Sequence, residues 1–148
     1  MRDSYTPRDP TFAAWKRGEA VGSPDLDVHR PWVDLVRAAV ARGVVVRRAR
    51  IVSEPVSEYI RFEYDTTPMN LAAGEEVRWL PRRRASDIAL PGNDFWLLDG
   101  QLVRFGHFTG DGDPVGEEWT EDPAVAALCA AAFEAVWERA VPHEDYKV

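Results

Sequence analysis

A chain of 148 residues, 45% hydrophobic and carrying a net charge of −7, has the length and composition of one domain with one core, and its charge argues against direct nucleic-acid binding. Cys129 is the one cysteine, which excludes an internal disulfide and argues against a Cys-based metal site. The first ten residues are polar and no apolar run reaches membrane-spanning length, so no membrane association and a cytoplasmic location are expected.

In chain order, Asp9-Pro10 reads as an N-cap followed by proline at the first helical position. Phe12 and Trp15 then share a face, and Gly18 ends a short helix. Residues 19–28 are a loop by composition. Pro31 opens a second helix, with Trp32, Leu35, Val36, Ala39 and Val40 at helical spacing and Gly43 closing it. Val44 to Val52 is a strand: Val44, Val46, Arg48 and Arg50 face one way, and Val45, Arg47, Ala49 and Ile51 the other. Ser53-Glu54-Pro55 reads as the start of a third helix, with Val56, Tyr59, Ile60 and Tyr64 on one face. Thr67-Pro68 restarts a short helical turn that ends at Gly74.

Glu76 to Leu80 is a short strand halted by Pro81, and a polar connection follows to Pro91-Gly92. Asp99-Gly100 between two apolar runs predicts a type I′ hairpin. Gly110 to Asp113 reads as a turn rather than a calcium loop, leading into a weak strand around Val115 to Trp119. Asp122-Pro123 starts a long last helix, with Val125, Leu128, Cys129, Ala132, Phe133, Val136, Trp137 and Ala140 on one stripe. This order predicts an α+β fold. It would hold a mixed, largely antiparallel sheet of about four to five strands, a long C-terminal helix and flanking helices. Residues 1–148 form one domain in this reading, with 1–28 as N-terminal helix and loop and 29–148 as the core.

The charge is uneven. Residues 110–148 hold ten acids against two bases, and the rest of the chain is close to neutral. An acidic C-terminal third could support a homodimer, dock a basic partner, or simply form a solvated face. Of 18 basic residues, 16 are Arg, a composition of GC-rich bacterial genomes.

Motifs for catalysis are missing. His29, His107 and His143 have no metal-ligand spacing, no glycine-rich phosphate loop exists, and neither Ser57 nor Ser86 sits in a nucleophile elbow. No cofactor, metal site or catalytic residue is assigned. Arg78, Arg82, Arg83 and Arg84 form the densest basic cluster, and Arg47, Arg48 and Arg50 form another. Guanidinium groups suit bidentate capture of carboxylate or phosphate, and they also suit pairing with the protein's own acids. The helix from Ser57 to Glu63 is the most chemically loaded. Ser57 and Arg61 are four apart, as are Tyr59 and Glu63, so each pair can share a face.

The runs Val52-Ser-Glu-Pro-Val-Ser-Glu-Tyr-Ile-Arg-Phe-Glu63, Gly74-Glu-Glu-Val-Arg-Trp-Leu-Pro-Arg82, Asn93-Asp-Phe-Trp-Leu-Leu-Asp99 and Val141-Pro-His-Glu-Asp-Tyr146 carry a resemblance. With them the chain resembles the actinobacterial domain-of-unknown-function family 6879 over nearly its whole length. The resemblance implies a source in Streptomyces or relatives. It also implies a regulatory or signalling setting beside small helix-turn-helix regulators. Members commonly carry an extra stretch before the segment matching Arg2-Asp3-Ser4-Tyr5, whose absence would leave an apolar groove open. The element order is also similar to half of a phospholipase D-like domain. The His-x-Lys pair of that class is absent, since His107 is followed by Phe108 and Thr109.

Together these readings favour a non-enzymatic regulatory or signalling module over an enzyme. It would bind a protein partner, such as a helix-turn-helix regulator, a small anionic ligand, or both. The candidate binding residues are Ser57, Tyr59, Arg61, Glu63, Arg78, Trp79, Arg82, Asp94 and Trp96, with aromatics supplying area and arginines orientation. The alternative is a small metabolic enzyme with Glu63 as general base beside Arg61 or Arg78 as an anion clamp.

Overall fold

The computed structural model describes residues 3–6 and 8–148; Met1, Arg2 and Pro7 lie outside them, Arg2 of the family-like segment included. Helix α1 (Pro10–Lys16) is capped by Asp9, whose carboxylate accepts from the Thr11 N–H at 2.7 Å. Phe12 and Trp15 of α1 pack on Tyr59 and Phe62. Helix α2 (Arg30–Ala41) buries Val33 and Val36. Its inward arc runs through Trp32, Val33, Val36 and Val40, so Leu35, expected on that arc, is 61% exposed.

Strand β1 (Arg47–Val52), helix α3 (Glu58–Ala73) and strand β2 (Glu76–Pro81) form a βαβ unit with the two strands parallel, Arg48 opposite Val77 and Arg50 opposite Trp79. Helix α3 starts at Glu58, later than the Ser53–Pro55 signal suggests. The hydroxyl of Ser57 accepts from the Ile60 N–H at 3.2 Å and fixes the cap there, leaving 53–57 as a loop. Nor does the helix restart at Thr67-Pro68; it runs through Pro68 without a break. Pro68 removes one ladder donor, while the Thr66 and Thr67 hydroxyls donate to the Phe62 and Glu63 carbonyls at 3.0 and 2.6 Å, holding that turn together. Gly74 ends the helix at φ 100°, a left-handed conformation that costs other residues about 1–2 kcal/mol.

After β2 comes a short 3-10 turn (Arg82–Ala85). Strands β3 (Asp94–Leu98), β4 (Leu102–Phe108) and β5 (Pro114–Thr120) then make an antiparallel meander. The β3–β4 turn has positive φ at Asp99 and Gly100, and the Gln101 N–H donates to the Leu98 carbonyl at 3.0 Å, as the Asp-Gly signal requires. Helix α4 (Pro123–Arg139) and the two-residue strand β6 (Val141–Pro142), antiparallel to β2, complete the fold.

The fold is α+β and largely antiparallel, with its strands divided between two three-stranded sheets, β1-β2-β6 and β3-β4-β5. Helix α4 lies under both. Ala126 and Cys129 pack on Val103 of β4, while Val136 and Ala140 pack on Ile51 and Leu80. Ala126 takes the inward place expected of Leu128, which is 46% exposed. On the opposite face of the first sheet, Val52, Ile60, Val77, Trp79 and Tyr146 form a second layer. Each large apolar side chain buried in these layers contributes roughly 2 kcal/mol. Among the described residues no helix is long and apolar enough to cross a membrane.

Candidate functional site: a two-lobed cleft between the sheets

The division into two sheets leaves a cleft between β1 and β3, floored by the middle of α4. One lobe, of about 370 Å³, is lined by the whole of β1, by Asp94, Phe95 and Trp96 of β3, and by Ala132, Phe133 and Val136. A second lobe, of about 440 Å³, lies among Trp32, Phe62, Thr66, Met69 and Asn70. Arg48, Arg50, Tyr59, Glu63 and Trp96 belong to both lobes and form the junction.

Alternation along β1 puts Arg48 and Arg50 on the same face. The Arg48 guanidinium lies against the rings of both Trp32 and Trp96, 5.5 and 5.0 Å from their centroids, and its Nε donates to Glu75 at 2.8 Å. Burial, and then the neighbouring Arg50 charge, pull the Arg48 guanidinium down against the attraction of Glu75. The Glu75 side chain has no exposure at all. It also accepts from the Trp32 indole at 2.5 Å and the Asn70 amide at 2.6 Å. Burial works against its charge, but Arg48 and these donors outweigh burial and hold its carboxyl below the usual range. The result is a hydrogen-bonded bracket that holds Arg48 beside Trp96 where the two lobes meet.

Arg50 has fewer partners. It pairs with Glu63 and lies 5.1 Å from the Trp79 ring centroid, and its side chain is 15% exposed. Its Nε is buried with no hydrogen-bond partner among the described residues. An unpaired donor on a charged, buried group costs more than a neutral one, on the order of 1–3 kcal/mol or above. This makes Arg50 Nε a place where an acceptor brought by a ligand is worth most. Burial, and then Glu63, push the nearby Tyr59 phenol up, so it remains a neutral hydrogen-bonding group at ordinary pH.

The end of the cleft beyond Val52 is closed by residues 3–6. Asp3 accepts from the Ser53 N–H at 2.8 Å and its hydroxyl at 2.7 Å and pairs with Arg82, while the Tyr5 hydroxyl donates to Asp94 at 2.5 Å. Thr6 N–H donates to the Gly112 carbonyl at 3.0 Å. Tyr5 packs edge-on against Phe108, so this segment ties the first sheet to the second.

Of the candidate binding residues, the structure brings Tyr59, Glu63, Asp94 and Trp96 together in the cleft. Ser57 is the α3 cap and Arg61 is exposed on its outer face. Arg78 lies on the α4 side, 4.3 Å from the Trp137 ring centroid, and donates to the Trp137 carbonyl. Trp79 is fully buried and donates its indole N–H to His143. Arg82 serves the N-terminal segment. Arg48 and Arg50 carried a readable signal, two charges two apart on one face of a β-branched strand. Trp32, Tyr5 and Phe133 carried none, since they reach the cleft from remote segments. Among the described residues no group of three or more His, Cys, Asp or Glu converges to hold a metal ion.

Comparison with curated proteins and with solved structures finds no match to this chain. One family model matches it, described as Domain of unknown function (DUF6879), and covers residues 1–148. The chain therefore belongs to the DUF6879 family over its whole length.

Proposed function

We propose that this chain is a cytoplasmic, non-enzymatic recognition module whose cleft takes up a ligand bearing a carboxylate-like or phosphate-like acceptor. The observation that carries this reading is Arg50, a residue of the cleft wall whose buried Nε has no hydrogen-bond partner among the described residues. Apolar and aromatic walls with a few placed polar groups suit a bound molecule of modest size. The regulatory setting, with a helix-turn-helix regulator or another protein as partner, is supported by the family resemblance alone.

A thermal-shift panel of small carboxylates and phosphates on the full chain tests the binding reading. A ligand at about 100 times its Kd stabilises by about 2.7 kcal/mol, which for a chain of this size is a Tm rise of roughly 5–10 °C. Arg50→Gln should abolish the rise. The reading fails if every compound leaves Tm unchanged, or if the variant responds as the native chain does.

The enzymatic alternative keeps one observation in its favour: Glu63 sits in the cleft with its side chain 19% exposed. Its neighbour there is Arg50, with Arg61 and Arg78 lying elsewhere. As the partner of Arg50 it acts first as an anchor, which favours binding. Conversion of a bound ligand by the native chain but not by Glu63→Gln would reverse that preference.

A further inference from the structure

We infer that the occupant of the cleft is an extended, acidic peptide segment of a protein partner, bound as an added strand along the open edge of β1. This rests on the binding reading above and names its ligand.

The backbone of β1 carries the argument. The Val46 carbonyl accepts from the Glu76 N–H at 2.9 Å, and β1 pairs with β2 in parallel register. Backbone groups alternate in direction along a strand, so Arg48, Arg50 and Val52 aim theirs at β2. Arg47, Ala49 and Ile51 aim theirs at the other edge, and among the described residues no strand lies there. Among the described residues, the far end of this edge is satisfied by Arg82 donating to the Ile51 carbonyl at 3.2 Å and by Asp3 accepting from the Ser53 N–H. The N–H and C=O groups of Arg47 and Ala49, both residues of the cleft wall, have no backbone partner on this edge among the described residues. A small anion at Arg50 would leave them as they are; a peptide main chain would pair with them.

The shape of the cavity agrees. Side chains of neighbouring strand residues point to opposite faces, yet all six residues of β1 line it, and so do the consecutive Asp94, Phe95 and Trp96. A cavity touched by both faces of two strands runs along their edges. Strand β3, like β1, is an edge strand of its sheet, so an added strand would have an open edge on both sides. At a rise of ~3.3 Å per residue, the stretch from Arg47 to Arg50 that Arg82 and Asp3 leave open offers a template of about 13 Å.

Side-chain chemistry then sets the preferred sequence. One face of the added strand meets Arg48, Arg50 and Trp96, and the other meets Ile51, Phe133 and Val136. The fitting peptide alternates, with an acidic residue toward Arg50 and apolar residues at the adjacent positions.

The test is selection of a displayed random octapeptide library on the full chain, followed by titration of synthetic winners. Expected are peptides with Asp or Glu flanked by apolar residues. N-methylation at every second position should weaken binding about tenfold or more, one lost hydrogen bond at each step, with little effect between. Ala49→Pro, which removes an edge N–H that β2 does not use, should do the same. The methylation scan leaves the protein intact should that variant misfold. Glutarate and inorganic phosphate are titrated in parallel. Arg50-dependent binding of these anions with no peptide enriched would overturn this inference and leave the binding reading standing. Arg50-independent binding or none of either kind would overturn both. A methylation scan without alternation, or self-association of the chain through the β1 edge, would overturn the added strand.

Discussion

Two buried side chains, His143 and Glu75, make stability fall with pH in different windows. The Trp79 indole donates to Nδ1 of His143 at 3.2 Å, so the neutral imidazole carries its proton on Nε2. Burial lowers the His143 pKa, with Glu144 opposing and Arg50 and Lys147 assisting. The unfolded chain therefore takes up a proton first as pH falls below about 6.5, and stability declines from there until the ring titrates in the folded protein. Tm should fall on the acid side of a pH 8 to 5 series, and His143→Gln, which keeps an acceptor for Trp79, should flatten that slope; an unchanged slope refutes the assignment. Glu75 acts with the same sign in a lower pH window. Its contribution is present above the unfolded value of about 4.3 and is lost as pH falls through the lower folded value. Glu75→Gln leaves Arg48 facing a neutral amide and should cost about 3 kcal/mol or more in urea denaturation. Because Glu75 orients Arg48 rather than meeting the cleft itself, the same variant should loosen the Trp32–Trp96 bracket, visible as changed tryptophan emission.

At the scale of elements, caps and breakers were readable and faces less so. Asp9, Asp122 and Gly74 act where their chemistry predicts. Helix α3 shows the limit. Ser57 displaced the Ser53–Pro55 start, and Pro68 failed to break a helix whose Thr66 and Thr67 hydroxyls bond back one turn. Loop 19–28 is pinned by a close approach that spacing does not reveal. A Cβ on Gly22 would lie 2.3 Å from the Asp65 carbonyl oxygen. Asp65 lies inside α3, whose backbone ladder leaves that carbonyl little freedom to withdraw. Gly22→Ala should destabilise by about 2 kcal/mol, measured as a lower urea midpoint with an unchanged slope.

Across the whole molecule, two sheets share one helix and are stitched at one end by residues 3–6. Asp3 is the chief tie on the first sheet, through Ser53 and Arg82. Asp3→Ala should lower stability by about 1–3 kcal/mol and expose the Ser53 amide to hydrogen exchange before the β1–β2 ladder opens. Unchanged protection at Ser53 would show that the tie is dispensable. Surface pairs such as Arg139–Asp87 should matter little, with Asp87→Ala leaving the urea midpoint essentially unchanged, since an exposed pair gains little in water.

Local chemistry determined the α+β class, the order of the elements, the Asp-Gly hairpin and the last helix, because caps, turns and periodicity act over a few residues. The family was legible in four ordered runs. Four of nine candidate residues, Tyr59, Glu63, Asp94 and Trp96, meet in the cleft, since aromatics and charges on strand starts and helix faces are natural wall-formers. Tertiary structure alone decided that the strands split into two sheets, that Arg48 and Arg50 outrank Arg78 and Arg82, and that a strand edge stays open. Each depends on contacts between segments tens of residues apart: Trp32 with Glu75, Tyr5 with Asp94, α4 with both sheets. Burial and edge pairing are properties of that assembly, and no local spacing encodes which edge finds a neighbour.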